Sequence, residues 1–274
     1  IEPTAETSGI YSFKDMNGHQ SKVEKALCRP CLLDVSFEPY GTPKPNKQII
    51  FPYFFSNGRA KLIPLDRLQS EYPNACEYLL SIKDTLESRA FSSRSRGDDW
   101  YRFGRSQSLG KFSGSPHLIW PVLSLGPKYV NDQSGKVMFT GGGNGPYYGM
   151  ELKKETPEAI EYVQAALSYW LTEALVRSKT SVFRGDYYAH GKQFVTELPI
   201  RRIDFSNNAD AVLHEKVVAT VRTLNDLVSK RASSSSKSDA ELYTRSIAAA
   251  ERNLKSAMDM LYDVPASLEE MVKP

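Results

Sequence analysis

The alternation of apolar and polar positions predicts two helices in the first two thirds of the chain. In residues 70–89 the apolar side chains recur with a period near 3.6 and share one face, which consists of Ala75, Tyr78, Leu79, Ile82 and Leu86. Residues 156–177 begin with Thr156 as the expected N-cap and Pro157 at the first helical position, the favoured arrangement at a helix start. We predict one continuous helix for each segment.

A second pair of helices is predicted after residue 204, where the composition changes. Residues 209–231 and 239–263 have sustained helical periodicity and are joined by the polar sequence ASSSSKS. The predicted apolar stripes are Val212, Val217, Val221, Leu224 and Val228 on the first helix, and Leu242, Ile247, Ala250, Leu254, Ala257 and Leu261 on the second. Two such helices are expected to pack antiparallel and to bury these stripes.

Stretches rich in β-branched and aromatic residues predict strands at residues 48–55, 116–125 and 137–140, with Pro52 marking an edge or a strand end. Residues 22–33 predict a helix of one or two turns that stops at Pro30. The elements together predict an α+β fold. Residues 1–204 would form a twisted, mostly antiparallel sheet with flanking helices, and residues 205–274 an antiparallel helical hairpin.

Positive charge is concentrated in two segments, although the whole chain carries a formal net charge of only +3. Residues 89–111 contain six basic and two acidic residues, and residues 177–202 contain the same numbers, so each segment has a net charge of +4. The remainder of the chain is therefore acidic. Such asymmetry is expected of a surface that meets a polyanion.

The first basic segment contains WYRFGRSQSL at residues 100–109. It combines aromatic rings, guanidinium groups and an amide, which are the groups that stack on bases, bind phosphates and pair with base edges. If this segment is a strand, its period of two directs Arg102, Arg105 and Gln107 away from Tyr101 and Phe103. The alternative is an edge strand whose aromatic residues pack on the core and whose arginines are merely solvated.

Two other segments carry candidate nucleic-acid contacts. The glycine-rich loop GGGNGPYYG at residues 141–149 offers Asn144, Tyr147 and Tyr148, and the alternative is a long hairpin connection without a partner. The segment RGDYYAHGKQF offers side chains that suit phosphate binding, and the alternative is an ordinary surface with an aromatic core contact. Its candidates are Arg184, Tyr187, Tyr188, His190 and Lys192.

Several other classes of function have little support in the sequence. Cys28 and Cys31 have only His19 nearby, which falls short of the roughly four ligands that zinc needs, so no metal site is predicted. Asp132 with Glu151-Leu152-Lys153 only loosely imitates a metal-dependent nuclease, and no G-x-S-x-G element anchors hydrolase chemistry. No signal peptide or apolar run of about 18 residues occurs, which favours a cytoplasmic protein without membrane contact.

Six pieces of the chain carry a family resemblance: VEKALCRPCL, QIIFPYFF, YPNACEYLLSIKDTLESR, WYRFGRSQSL, RGDYYAHGKQFVTELPI and MDMLYDVPASLEEMV. In this order they resemble the C-terminal target-recognition region of adenine-specific DNA methyltransferases in type IIG restriction-modification enzymes and related phage-defence systems. The resemblance covers about residues 20–272.

The resemblance implies sequence-specific recognition of double-stranded DNA on behalf of a methyltransferase catalytic domain, in the same chain or a partner chain. Such domains bind S-adenosylmethionine and hold the flipped adenine with an Asn-Pro-Pro-aromatic motif. The prolines of this chain are never adjacent, and the glycine-rich loop lacks the sequence setting of a cofactor fold. We therefore expect an excised, non-catalytic piece of a longer polypeptide that binds no cofactor itself.

Thirteen residues are predicted to contact DNA: Arg94, Arg96, Arg102, Arg105, Gln107, Lys111, Asn144, Tyr147, Tyr148, Arg184, Tyr187, Tyr188 and Lys192. Trp100 and Phe103 are expected to hold residues 100–109 to the core. The alternative function, from a different class, is a protein-interaction module that docks a partner through its helical hairpin, which by analogy with specificity subunits is otherwise interpreted as a spacer.

Overall fold

The structure, a computed structural model, describes residues 1–89, 97–106, 108–141, 145–265 and 267–268. Its helices are α1 (Leu65–Glu71), α2 (Pro73–Ser81), α3 (Lys83–Glu87), α4 (Ile160–Ser168), α5 (Trp170–Lys179), α6 (Lys192–Val195), α7 (Asn208–Ser233) and α8 (Lys237–Leu261). Its strands are β1 (Pro3–Thr7), β2 (Ile10–Lys14), β3 (Gln20–Glu24), β4 (Cys28–Leu32), β5 (Lys47–Ile50), β6 (Tyr53–Ser56), β7 (Arg59–Leu62), β8 (His117–Pro121), β9 (Leu123–Ser124), β10 (Val130–Asp132), β11 (Met138–Phe139), β12 (Tyr147–Glu151) and β13 (Tyr188–Ala189).

The α+β class with a C-terminal helical hairpin is confirmed. In the described parts of the chain the strands form five small sheets, ordered β1-β2-β3, β11-β4-β5, β6-β7, β10-β8-β12 and β13-β9. Among the described strands, all pairs are antiparallel except the pair of β11 and β4. The sheet content is thus mostly antiparallel, as expected, and is divided among several small sheets.

The chain divides into two compact units. Unit 1 consists of Ile1–Val35, Lys44–Ser115 and Ser134–Phe139, and unit 2 consists of Ser36–Pro43, Pro116–Gln133 and Thr140–Pro274. The boundary proposed between residues 204 and 205 falls inside unit 2. The separate roles assigned to residues 1–204 and 205–274 stay a prediction.

The core of unit 1 forms between its first meander and helix α2. Phe13, Val23 and Leu68 are almost fully buried there. The Glu24 carboxylate accepts hydrogen bonds from the Asn74 and Ala75 backbone N–H groups at 2.9 Å, which satisfies free donors at the start of α2. Because Glu24 ends strand β3, this cap ties the meander to the helix.

Two predictions within unit 1 are wrong. Residues 22–33 are not a helix: strand β3, a 3-10 turn at Lys25–Leu27 and strand β4 occupy them. The helix predicted for residues 70–89 is interrupted at Tyr72 and Ile82, where the backbone leaves helical geometry. Pro73 begins α2 because it lacks the N–H that a continuing helix needs.

The core of unit 2 is built on the α7–α8 hairpin, whose predicted positions are confirmed. Helix α4 packs against α7 and also contacts β8 and β10. The Asn207 and Ser236 side chains cap the two long helices by accepting hydrogen bonds from the Ala209 and Asp239 N–H groups. Val212 and Leu242, which were assigned to the buried stripes, are instead 58% and 52% exposed.

The single helix predicted for residues 156–177 is two helices. It begins at Ile160 instead of after Thr156. Ala159, at the N-cap, has an extended backbone, and its N–H donates a hydrogen bond to His214 Nε2 at 3.2 Å. Tyr169 has an extended backbone and separates α4 from α5. The Thr172 hydroxyl donates to the Ala166 carbonyl at 2.8 Å and stabilises the break.

Leu224→Ala should destabilise the chain by about 2–5 kcal/mol, since this side chain is fully buried between the helices of unit 2 and its loss leaves a cavity. Urea unfolding measures the change. The matched control is Val212→Ala on the same helix, where the exposed side chain should alter stability by no more than about 0.5 kcal/mol. Equal losses for the two variants would contradict the packing described.

Candidate nucleic-acid interface

Residues 100–109 lie in unit 1 and are held to its core by aromatic side chains. The described part forms turns instead of a strand, and a 3-10 helix follows at Leu109–Phe112. Trp100 and Tyr101 are 2% and 3% exposed, and the Tyr101 hydroxyl donates to the Ile63 carbonyl at 2.5 Å. The Phe103 N–H donates to the Tyr53 hydroxyl at 2.6 Å. Anchoring by Trp100 is confirmed, Phe103 is half-buried, and Tyr101 is an additional anchor.

The Arg89 guanidinium fixes the backbone of the same segment. Its Nη2 donates to the Trp100 and Arg102 carbonyls at 3.0 and 3.1 Å, and its Nε donates to the Leu86 carbonyl at 2.7 Å. Arg89 is therefore a structural cation that contributes to the count of positive charge but not to a binding surface. Residues 100–103 are therefore held both by their aromatic side chains and by their backbone hydrogen bonds.

The predicted contact residues of unit 1 differ in their surroundings. Arg102 Nη1 lies 3.1 Å from Asp99 Oδ2, so its charge is partly neutralised within the unit. Arg105 and Lys111 are exposed, and Lys111 has no ion-pair partner among the described residues. Arg94, Arg96 and Gln107 lie outside the described residues.

Two further cations, Arg59 and Lys61, lie close to Lys111 and were missed from the sequence. The turn Asn57-Gly58 has positive φ at both residues, 51° and 71°, and joins β6 to β7 in register. Arg59 and Lys61 then share the exposed side of β7, while Ala60 and Leu62 pack on the core. Neither cation has an ion-pair partner in the described parts of the chain.

Gly110 brings the 3-10 helix next to this hairpin. A Cβ atom at position 110 would lie 2.5 Å from the Gly58 carbonyl oxygen, so only glycine allows the approach. Lys111 follows directly and joins Arg59 and Lys61 in one basic surface, which we call the unit 1 basic surface. The Asn-Gly pair between YFFS and RAKL was the sequence signal that could have found it.

The tyrosines after the glycine-rich loop lie in unit 2 and serve packing. Tyr147 is 2% exposed and stacks on Phe37, with 5.1 Å between the ring centroids. Its assignment as a DNA contact is corrected, since the ring would have to leave the core. Tyr148 is half-buried against Trp120. Asn144 lies outside the described residues.

The glycine-rich loop does not fit an S-adenosylmethionine site. Gly141 and Gly145 lie between β11 and β12, so the loop joins two strands. A cofactor loop that follows a strand and opens a helix can use free N–H groups of the helix start. No such helix start follows here, and we assign no cofactor step to these residues.

The described turn at residues 183–187 presents Arg184 to solvent. The Phe183 N–H donates to the Tyr187 carbonyl at 2.7 Å, and the turn is completed by positive φ at Gly185 and Asp186, 80° and 62°. Phe183 and Tyr187 are 48% and 40% exposed, and Arg184 is exposed between them. The turn thus forms an aromatic and cationic tip that exposes two of the residues predicted to contact DNA, Arg184 and Tyr187, and also Phe183, which was not predicted.

A buried polar network fixes the base of this tip. His190 is 1% exposed, and its Nε2 lies 2.8 Å from Glu173 Oε2. Glu173 also accepts a hydrogen bond from Arg177 Nε at 2.8 Å, and the Arg177 guanidinium lies 4.6 Å from the centroid of the Tyr188 ring. His190 and Tyr188 are therefore support residues beneath the tip.

Ser124, His190 and Glu173 are arranged like a serine–histidine–carboxylate triad, yet the surroundings of Ser124 do not suit a nucleophile. Its hydroxyl oxygen lies 3.1 Å from His190 Nδ1 but donates its proton to the Gly126 carbonyl at 2.6 Å. The side chain is 2% exposed and has no access for a substrate. The arrangement is structural.

Internal ion pairs account for most of the positive charge in residues 177–202. The four pairs are Arg177–Glu173 and Lys179–Glu197, each at 2.8 Å, Arg201–Asp210 at 2.8 and 3.1 Å, and Arg202–Glu158 at 2.7 Å. Arg184 and Lys192 are exposed and have no ion-pair partner within the described ranges. Only these two cations of the segment are left to meet an external anion.

Other possible chemistries find no site in the described chain. No three His, Cys, Asp or Glu side chains converge there as metal ligands. Asp132 on β10 and Glu151 on β12 are both in register with His117 on β8, which lies between these two strands. Strand β8 therefore separates the two carboxylates of the nuclease-like pattern. No described helix has the length and apolar character required to cross a membrane.

Comparison with known proteins identifies relatives by sequence. No protein-family model matches the chain. It is 29% identical over 228 residues to the type II restriction enzyme and methyltransferase RM.Eco57I of Escherichia coli. The chain is thus similar to part of a type II restriction-modification methyltransferase. A second relative, the type II methyltransferase M.BanIII of Aneurinibacillus aneurinilyticus, is 23% identical over 176 residues.

The chain corresponds to a part of each relative. The first match covers 80% of this chain but 23% of the relative, and the second covers 62% of this chain and 28% of the relative. The activities of the relatives therefore belong to proteins several times longer than the matched segment.

Glu158→Gln should destabilise unit 2 by about 1–3 kcal/mol at neutral pH, because a buried acceptor of two hydrogen bonds loses its charge. Burial opposes ionisation of this carboxyl, but hydrogen bonds from Arg202 and Ile203 outweigh it and hold the pKa of Glu158 below its ordinary value. Its contribution is thus present above the ordinary glutamate pKa of about 4.3 and is lost as the pH falls through the lower folded-state pKa.

Urea unfolding of wild type and variant at neutral and acid pH measures this linkage. The stability difference between them should narrow in acid. The control is Glu241→Gln on α8, where the exposed carboxylate has no ion-pair partner in the described part of the chain, and it should change stability little at either pH. A difference that stays constant from neutral pH into acid would contradict the ionised pair.

Proposed function

We propose that this chain is a DNA target-recognition region that acts for an adenine-specific methyltransferase of a restriction-modification system. The observation that carries the proposal is the distribution of exposed cations without ion-pair partners among the described residues. They include Lys111 in the first segment where the sequence concentrates positive charge, and Arg184 and Lys192 in the second, whose neighbouring cations are neutralised internally. Arg59 and Lys61 lie outside both segments and join Lys111 in the unit 1 basic surface.

Phosphate binding accounts for the exposed cations. Unit 1 supplies Arg59, Lys61 and Lys111, and unit 2 supplies Arg184 and Lys192. A cation that approaches DNA releases condensed counterions, which favours binding without reading sequence. These five side chains set the position and register of the DNA.

Base recognition is assigned to residues 100–109. Arg105 is exposed on a backbone that Arg89, Trp100 and Tyr101 hold in place. A rigid guanidinium can form two hydrogen bonds to a guanine edge, and Gln107 can pair with adenine. Tyr187 adds an exposed ring that can stack on a base or sugar. Arg102 and Tyr148 contribute less, because the first pairs with Asp99 and the second is half-buried.

Methyl transfer is assigned to a separate catalytic domain, in the same chain or in a partner chain. That domain would bind S-adenosylmethionine and receive the flipped adenine, whose extrusion costs a few kcal/mol that recognition contacts help to offset. The assignment is supported by the relatives, which are methyltransferases several times longer than the matched segment. Such a protein would act on cytoplasmic DNA.

A salt titration tests DNA binding. With five phosphate contacts, the logarithm of affinity for a duplex should fall against the logarithm of salt concentration with a slope of about −4.5. Lys111→Ala should make the slope less negative by about 0.9. Arg245→Ala should leave it unchanged, since this exposed cation on α8, which has no ion-pair partner among the described residues, lies outside the proposed interface. A slope near zero would sink the proposal and favour a protein-interaction module. Methyl transfer to DNA by the chain alone would contradict the assignment of catalysis elsewhere.

Arg105→Ala should relax base preference at one position of the bound site, at a cost of about 1–3 kcal/mol there. Selection of binding sequences from a randomised duplex pool, followed by affinity measurements on the selected and substituted sites, gives this value. Lys111→Ala is the comparison, since loss of a phosphate contact weakens binding to all sequences alike. Uniform weakening by Arg105→Ala would show that Arg105 binds phosphate instead.

A further inference from the structure

Strands β9 and β13 and the turn at residues 183–187, which leads into β13, form a ribbon that exposes apolar side chains on one face. Ala189 pairs with Leu123, and an isolated bridge joins Phe183 to Tyr187. Cross-strand partners share a face, and so do residues two apart on one strand, so Phe183, Tyr187 and Leu123 point the same way. Phe183, Tyr187 and Leu123 are 48%, 40% and 44% exposed.

The tip of this ribbon is preorganised. Gly185 and Asp186 both have positive φ, which restricts the turn to one geometry, and the Phe183–Tyr187 hydrogen bond of 2.7 Å closes it. Below the tip, the His190 N–H donates to the Val122 carbonyl at 2.7 Å, and the His190 ring is fixed by Glu173. The large apolar side chains are therefore exposed from a fixed frame instead of a loose loop.

The exposed cations Arg184 and Lys192 favour a nucleic acid as the occupant, while within the turn itself the exposed Asp186 carboxylate balances Arg184 in formal charge. Arg184 lies between the two aromatic residues in sequence and has no ion-pair partner in the described chain, and Asp186, one position beyond the glycine, does not pair with it. Lys192 is a second exposed cation after β13. Proteins that open base steps combine these same features, an apolar side chain inserted into the stack and a cation on the adjacent groove or phosphate.

We propose that Phe183 is a wedge that inserts between neighbouring base pairs when the chain binds duplex DNA, while Arg184 contacts a phosphate beside the opened step. This rests on the proposed function, because a chain that does not bind DNA has no base step to open. Tyr187 and Leu123 then cover the sugar edges that insertion exposes. The wedge gives residues 182–188 a task separate from reading base edges.

Two duplexes of identical sequence test the wedge, one intact and one with a single central abasic site. Insertion must unstack a base step in the intact duplex, and the abasic site removes that cost in advance. Wild type should prefer the abasic duplex by about five-fold or more, since each 1 kcal/mol of unstacking cost that is removed raises the affinity about five-fold. Phe183→Ala should lose most of that preference and keep the salt slope, since no charge is removed.

Matched variants separate the wedge from neighbouring effects. Phe183→Leu should retain much of the preference because leucine also serves as a wedge. Arg184→Ala should weaken binding to both duplexes and make the salt slope less negative by about 0.9. Val212→Ala removes an equally exposed apolar side chain of unit 2 and should change neither quantity. Thermal unfolding should be the same for all variants, as every substituted side chain is exposed.

The outcomes distinguish this inference from the function on which it rests. If wild type binds neither duplex, the proposed function fails. If wild type binds with the expected salt dependence but shows no preference for the abasic site, or if Phe183→Ala keeps the preference, the wedge is overturned and DNA binding stands. If sedimentation shows that Phe183→Ala dissociates a dimer while its DNA affinity is unchanged, the apolar face is a protein contact and the wedge is overturned.

Discussion

A buried carboxylate must be paired, and this constraint decides which cations of unit 2 are left for a ligand. Glu158, Glu173 and Asp210 are each less than 9% exposed, and removal of such a charge from water is costly unless a partner and hydrogen bonds compensate. Each takes an arginine from the basic segment at residues 177–202. These buried carboxylates therefore pair with three of the six basic residues of the segment. Arg184 pairs with none of these carboxylates, because it lies on an exposed turn. The contact between Glu173 and His190 supports the base of that turn.

Local patterns predicted the long helices well and their interruptions poorly. The α7–α8 hairpin follows from apolar periodicity and from caps within two or three residues of each helix start. The break at Tyr169 depends on contacts distant in sequence: its hydroxyl bonds to Asp259, as does the Trp170 indole N–H at 3.2 Å. Likewise, the N–H of Ala159, the N-cap residue of α4, donates to His214, 55 residues away. No window of 18 residues contains such partners, so periodicity alone joined α4 to α5.

The candidate site was predictable in its residue types but not in its surroundings. Counting charges identified two basic segments, yet it could not separate Arg89, whose N–H groups donate to backbone carbonyls, from Arg105, which is exposed. Alternation suggested a strand at residues 100–109. Instead, turns are stabilised there by the hydrogen bond that Arg89 donates to the Arg102 carbonyl and by the one that the Tyr53 hydroxyl accepts from the Phe103 N–H. Tyr147 shows the same limit, because an aromatic residue after a glycine-rich loop suits stacking on a base or on Phe37 equally well. Only tertiary packing distinguishes the two.

Two turns with positive φ each hold an exposed arginine on a fixed backbone, so that little backbone entropy is lost when the arginine binds a ligand. Asn57-Gly58 precedes Arg59, and Gly185-Asp186 follows Arg184, so in each unit a cation adjoins a backbone held in one geometry. A flexible loop must be ordered when it binds, and that cost subtracts from affinity. Here the two turns are already ordered in the folded chain, the first by the strand register of β6–β7 and the second by the His190–Glu173 contact below it. Since a Cβ is disfavoured where φ is positive, Gly58 and Gly185 are as necessary to this placement as the arginines that they present.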